Sequence, residues 1–310
     1  MPELRKDYIL DSWVIIATER AKRPSDFKVE KQEIKEKICY FCPGNEKYTT
    51  NETYKIEKDG KWYIRSFQNK FPAVKNQGDF NIKTHNEFYT FADAYGYHEV
   101  VVETPDHKKQ LWDLTTEDLK LLFNLYNQRI NSLSILPGVN YVQIFKNHGH
   151  DAGSSITHSH SQIIAYNEVS KRVQDEIEAS KKHNNCPYCD IIKKEKDSFR
   201  RCFENNNFIA FTPYASRFPF EIWVFPKQHI RTLKECNLDD LSLIMLQILK
   251  QLKKLNAPYN FMLHYSPMNE NLHFHIEILP RLSSWAGFEF SGTVINSMSP
   301  EEAAKFYRED

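Results

Sequence analysis

Two cysteine pairs and the histidines that follow them are the residues of this chain best suited to chemistry. Cys39-Tyr40-Phe41-Cys42 is followed by Pro105-Asp106-His107 and then by His158-Ser159-His160. Cys186-Pro187-Tyr188-Cys189 is followed by His229 and then by His273-Phe274-His275. The order Cys-x-x-Cys, single His, His-x-His therefore runs through both halves. Two thiolates and two imidazoles complete a tetrahedral Zn²⁺ shell, so two zinc sites are expected. One Cys-x-x-Cys says little; two with the same histidines behind them point to a duplicated unit. Each half also holds one histidine more than its metal needs, and that surplus imidazole is available for catalysis.

The segment His158-Ser159-His160-Ser161-Gln162 reads as a strand, in which side chains alternate between faces. His158, His160 and Gln162 then share one face, and Ser159 and Ser161 the other. Three polar groups on one face are costly to bury unless they meet a metal or a ligand. The loop before them, Asn147-His148-Gly149-His150-Asp151-Ala152-Gly153-Ser154-Ser155, is small and polar, and its backbone N–H groups can turn toward an anion. In the second half His275 is followed by Glu277 instead of a glutamine, and no Gly/Ser loop precedes His273. That half reads as a copy that keeps the metal and has lost catalysis. Arg20 and Arg23 form a short basic cluster, which is either a solvated loop or a clamp on phosphate oxygens.

The elements that position these residues alternate strands with single helices. Strands are expected at 12–17, 62–67, 97–103, 141–145 and 158–166, and a helix capped by Thr115 runs to about Leu133. A polar helical stretch over 169–182 looks like the join between halves. The second half repeats the plan, with strands at 208–211, 220–225, 259–265 and 272–279, an amphipathic helix over 238–255, and a last helix capped by Ser299. The fold class is α+β with mainly antiparallel sheets and flanking helices, divided into an N-terminal catalytic half (1–167) and a C-terminal half (168–310).

Composition removes several classes. Lys+Arg and Asp+Glu are both 41, so the formal net charge is zero and no nucleic-acid polymer is an expected partner. No apolar run is long enough to span a bilayer, and Met1-Pro2-Glu3-Leu4 opens no signal-like apolar core. A cytoplasmic protein is expected, in which Cys-x-x-Cys pairs read as metal ligands before disulfides. A zinc deaminase is excluded by order, because there the His-x-Glu precedes the cysteine pair.

On these residues the chain resembles the galactose-1-phosphate uridylyltransferase family of the histidine-triad superfamily, over nearly its whole length. The resemblance implies two tandem histidine-triad-like halves. It makes Cys39, Cys42, His107 and His158 the first zinc set, and the duplicated order makes Cys186, Cys189, His229 and His273 the second. It assigns His160 as nucleophile and Gln162 as the phosphoryl-stabilising glutamine. Arg20, Arg23, Asn147, Gly153 and Ser155 fall on phosphate-contacting segments, Asn69 on the base-reading segment, and Phe288 and Glu289 where the family holds the sugar hydroxyls. A homodimer is implied by the resemblance alone.

Some residues depart from the common pattern. His-Pro-His-Gly-Gln is here His158-Ser159-His160-Ser161-Gln162, an Asn-Asp-Phe is Asn69-Lys70-Phe71, and a Lys-Phe pair is Ser283-Ser284. The His158-Ser159-His160-Ser161-Gln162 form, the second cysteine pair and Pro219-Phe220-Glu221-Ile222-Trp223 look more like a branch that includes an ADP-glucose phosphorylase. The expected reaction is transfer of UMP from UDP-glucose to galactose 1-phosphate through a uridylyl-histidine, as in galactose metabolism. The expected partners are thus a nucleoside diphosphate sugar and a sugar 1-phosphate. An ADP-glucose phosphorylase-like adenylyl transfer with phosphate as acceptor is the alternative. A zinc-binding module without catalysis is the alternative from another class; it leaves His160, Gln162 and the Gly/Ser loop idle.

Overall fold

The computed structural model describes residues 2–20 and 38–309; Arg23 lies outside them. In chain order its strands are β1 (Glu3–Lys6), β2 (Trp13–Ile16), β3 (Glu52–Lys58), β4 (Lys61–Gln68), β5 (Lys83–Thr84), β6 (Thr90–Phe91), β7 (Gly96–Val102), β8 (Tyr141–His148), β9 (His160–Tyr166), β10 (Arg201–Glu204), β11 (Phe208–Phe211), β12 (Ile222–Pro226), β13 (Tyr259–His264), β14 (His275–Pro280) and β15 (Val294–Asn296). The helices are α1 (Thr116–Ser134), α2 (Lys171–Ser180), α3 (Pro187–Glu195), α4 (Leu238–Leu255), α5 (Gly287–Phe290) and α6 (Pro300–Arg308).

Ten strands make one antiparallel sheet in the order β3-β4-β7-β9-β8-β13-β14-β12-β11-β10. The first five and the last five are arranged as mirror lists, and they meet where β8 pairs with β13, Asn147 opposite Asn260. Each group of five carries one long helix on the same face, and α1 and α4 pack against each other. Thr115 closes the capping box that starts α1, accepting from Asp118 N. Its spacing then buries Leu119, Leu122, Leu125 and Tyr126, while Leu241, Ile244, Met245 and Ile248 of α4 are equally buried. Each such side chain is worth about 1.5–3 kcal/mol.

Register decides which residues reach the sheet's other face, because directly paired residues point the same way. Val100 lies opposite Gln162 and Val102 opposite His160, and Phe145 lies opposite Gln162. His98, Asn147, His160, Gln162 and Asn260 therefore share the face away from α1. Ser159 and Ser161 lie on the helix side, as strand alternation requires.

Three features differ from the sequence expectation. The strand begins at His160 instead of His158, because the side chain of His158 turns to the cysteines. The stretch over 169–182 is helical, but α2 is more than a join: Val173, Glu176 and Ile177 are buried, and the helix closes the polar face of the second half. β1 and β2 precede the first cysteine pair in sequence yet belong to the second half in space. β2 pairs in parallel with β15, Arg5 bonds Glu301, and Tyr8 bonds Glu195.

Candidate active site and metal centres

Cys39, Cys42, His107 and His158 converge so that their ligand atoms all lie within 4.8 Å of one another. Cys42 N–H bonds back to Cys39 O, a turn that points both thiols the same way. Cys39 Sγ is 3.5 Å from His158 Nδ1, and Cys42 Sγ is 3.4 Å from His107 Nδ1 and 3.6 Å from His158 Nδ1. A tetrahedral zinc with bonds of roughly 2.3 Å to sulfur and 2.0 Å to nitrogen has S···N edges of about 3.5 Å. His158 Nε2 is 2.8 Å from the Thr104 carbonyl. That oxygen only accepts, so the proton sits on Nε2 and Nδ1 presents its lone pair to the metal position.

The second set repeats this. Cys186, Cys189, His229 and His273 also fall within 4.8 Å, with Sγ···Nδ1 separations of 3.5 to 3.7 Å. His273 Nε2 donates to Pro226 O and His229 Nε2 meets Asn271 Oδ1. Burial and the neighbouring Cys186 push the Cys189 thiol up to about 12. A pair of thiolates here needs a cation between them, which fits zinc.

His160 stands two residues past His158. Its Nδ1 is 2.9 Å from the His158 carbonyl, so Nδ1 carries the proton and the lone pair of Nε2 is free. Burial, with the Lys146 ammonium beside it, pushes His160 down to about 4; the ring is neutral at ordinary pH. Phe41 packs edge-on to it at 5.4 Å and fixes the ring plane.

Around His160, Gln162 Oε1 lies 2.9 Å from His98 Nε2, and Asn69 Nδ2 is 3.2 Å from the same nitrogen. The structure thus brings Asn69 and Gln162 together through His98, a residue that the sequence placed in a strand without a role. Asn147 is held by Asn260, whose Nδ2 is 2.8 Å from Asn147 Oδ1 and from Ala152 O. The loop between them is built on two glycines. A Cβ on Gly149, at φ +83, would lie 2.9 Å from Pro258, and Gly153 sits at φ +86 with its open side toward Asn147 Nδ2. The N–H groups of Ala152, Gly153 and Ser154 close the turn on His150 and Gly149 carbonyls. They are therefore not turned outward as the loop's composition suggested. Gly153 and Ser155 are exposed.

Beneath His160 lies a buried ionic knot. Lys146 Nζ bonds Glu103 Oε2 at 2.6 Å, the His160 carbonyl at 2.9 Å and Ser159 Oγ at 3.1 Å. Ser159 Oγ also donates to Glu103 Oε2, and Tyr126 OH bonds Ser161 Oγ. The two serines that flank His160 are thus tied to α1 and to Glu103, the residue after β7.

In the second half, the face corresponding to the surroundings of His160 is filled. His275 Nδ1 meets the His273 carbonyl at 3.0 Å, as its counterpart does, but the ring is wholly buried. Glu176 of α2, His264 and Glu277 lie around it, a group whose geometry would also admit a cation. Two arginines already supply positive charge: Arg172 bonds Glu277 at 3.0 Å and pairs with Glu176 at 2.8 Å, and Arg217 bonds Glu277 at 2.6 Å. Glu289 accepts from Ala286 N and is lowered by its backbone bonds, with Arg20 nearby. Phe288 is exposed.

Comparison with known proteins places this geometry. The family model for galactose-1-phosphate uridyl transferase, N-terminal domain, matches residues 1–170, and a domain of unknown function matches 100–306. ADP-glucose phosphorylase of Arabidopsis thaliana is 35% identical over 99% of this chain and 93% of its own. Galactose-1-phosphate uridylyltransferase of Thermotoga maritima is 30% identical over 100% and 98%. The crystal structure of the Arabidopsis phosphorylase with bound ADP-glucose superposes with a TM-score of 0.84 at 30% identity, covering 100% of this chain and 99% of that one.

Proposed function

Because this chain belongs to the galactose-1-phosphate uridyl transferase family, we propose that it moves a nucleoside monophosphate from a nucleoside diphosphate hexose to a phosphate-bearing acceptor, with His160 carrying the nucleotidyl group between them. The observation that carries this is the bond from His160 Nδ1 to the His158 carbonyl, which leaves Nε2 as an unprotonated nucleophile. Nε2 attacks the α-phosphorus, a P–N bond forms, and the bond to the hexose 1-phosphate oxygen breaks. An acceptor phosphate oxygen then attacks the same phosphorus and releases the imidazole. Splitting one displacement into two similar ones is what covalent catalysis offers. The amides of Gln162 and Asn147 and the Ser155 hydroxyl stabilise the non-bridging oxygens.

Zinc on Cys39, Cys42, His107 and His158 is structural in this reading, since four protein ligands leave no open position. The second set holds a second zinc. The protein is a cytoplasmic homodimer, in which Arg20, Arg23, Phe288 and Glu289 complete the phosphate and hexose end of a pocket; light scattering tests the dimer.

The donor and acceptor expected from the resemblance of the phosphate loop, His160, Gln162 and Glu289 to the family are UDP-glucose and galactose 1-phosphate. A second pair, ADP-glucose with inorganic phosphate, is favoured by a specific observation: of the two relatives compared, the Arabidopsis phosphorylase has the higher identity. Lys70 beside Asn69, where the common enzyme has a carboxylate, also suits a changed base pocket. Two assays on one preparation decide. Turnover of UDP-glucose with galactose 1-phosphate supports the first pair; turnover only of ADP-glucose with phosphate supports the second.

A further inference from the structure

Each of the two amides beside the nucleophile has a second polar side chain behind it, and each of those is anchored to a backbone group whose role cannot change. Ala73 N–H can only donate, and it lies 3.0 Å from His98 Nδ1. Nδ1 must therefore be the acceptor, and the ring proton sits on Nε2. Nε2–H then donates to the atom 2.9 Å away, which must be the oxygen of Gln162. The Gln162 NH₂ is left for the open face. Burial lowers His98, so the ring stays neutral and keeps this single tautomer. Asn69 Oδ1 is occupied by Phe71 N–H at 2.9 Å. Its Nδ2, 3.2 Å from the protonated Nε2, meets another donor there and remains available to a ligand.

The second chain starts from an acceptor. Ala152 C=O can only accept, so the Asn260 atom 2.8 Å from it is the nitrogen. The other proton of that nitrogen goes to Asn147 at 2.8 Å, which must present its oxygen. Arg281 Nη1 donates to Asn260 Oδ1 at 3.3 Å and agrees with the assignment. Asn147 Nδ2 is thereby turned to the open side of Gly153.

We propose that His98 and Asn260 are positioning residues of the transfer, which pin the oxygens of Gln162 and Asn147 so that both amides offer N–H donors to the phosphoryl group. An unpinned amide can equally present its oxygen, which repels a phosphate oxygen. Asn260 comes from the second half, which gives the half that reads as catalytically silent a part in the site. The proposal rests on the nucleotidyl-transfer reading.

The test uses full-length protein and single-turnover formation of the nucleotidyl enzyme. His98→Ala and Asn260→Ala should each slow it by about 10–100-fold, the usual cost of removing a group that orients another, with donor KM changed by less than about threefold. His98→Gln, which can still donate, should recover part of the rate. His98→Ala should cost nothing further in a Gln162→Ala background, nor Asn260→Ala in Asn147→Ala, because each acts only through its amide. Losses that multiply in the double variants overturn the proposal, as does a loss explained by lowered melting temperature or zinc content. Nitrogen-15 NMR of histidine-labelled protein reads the His98 tautomer without any turnover. A proton on Nδ1 would refute the proposal on its own, whereas a wild type that forms no nucleotidyl enzyme while His98 keeps its proton on Nε2 would refute the transfer reading instead.

Discussion

The backbone carbonyl of His158 accepts from Nδ1 of His160 at 2.9 Å, while the side chain of His158 turns Nδ1 toward Cys39 and Cys42. One residue thus faces the candidate metal position with its ring and His160 with its backbone. Holding the His158 ring fixes its peptide, and the peptide sets the tautomer and tilt of His160.

Metal loss at the first site should therefore reach the nucleophile, and loss at the second should not. Cys39→Ser with Cys42→Ser is expected to lose one zinc and at least about 10–100-fold of nucleotidylation rate. Cys186→Ser with Cys189→Ser should lose one zinc and leave the per-folded-molecule rate within about threefold, because those ligands pack on β12 and α3 away from His160. Elemental analysis beside single-turnover kinetics checks both. An unchanged metal count in the second variant would contradict the second ligand set.

Lys146 and Glu103 form a fully buried pair at 2.6 Å. Removing one partner strands the other charge, which costs about 3–5 kcal/mol. Lys146→Met should lower stability by that order in urea unfolding. Adding Glu103→Gln should return part of the loss, since the stranded carboxylate is then neutral.

The cluster around His275 makes stability depend on pH. Burial pulls the His264 imidazole down, but Glu176 and Glu277 outweigh it, and the net direction is up. A histidine raised on folding stabilises fully below its unfolded value of about 6.5 and loses that contribution as pH rises through its folded value. The difference in melting temperature between wild type and His264→Gln should therefore be larger at pH 6 than at pH 9. The opposite slope would mean that His264 is buried neutral.

The convergence of the two Cys2His2 groups was legible because ligand chemistry restricts both residue type and spacing, and the duplication doubled the signal. The helices over 116–134 and 238–255 were legible because their caps and apolar stripes are local properties. What escaped depends on register. His98 reaches Gln162 only because β7 pairs with β9, with Val100 opposite Gln162. Asn260 reaches Asn147 only because the two halves join through β8 and β13. The sequence singles out no role for Lys146, yet it is buried with its Nζ on the His160 carbonyl. Glu176 lay in a stretch taken for a linker, and only packing shows that α2 fills the second half's pocket. Phe288 and Glu289, placed by resemblance, are not joined to His160 by any contact of the described residues.

The central claim is that His160 carries the nucleotidyl group, and trapping it is the most direct measurement. Brief mixing with nucleotide-labelled UDP-glucose or ADP-glucose, followed by denaturation, should leave acid-labile, base-stable label on the protein, mapped to His160. His160→Asn should take no label and lose turnover while keeping both metals and its fold. His275→Asn, changed at the buried counterpart, should still take label. Label on any other residue, or turnover that survives in His160→Asn, would contradict the account.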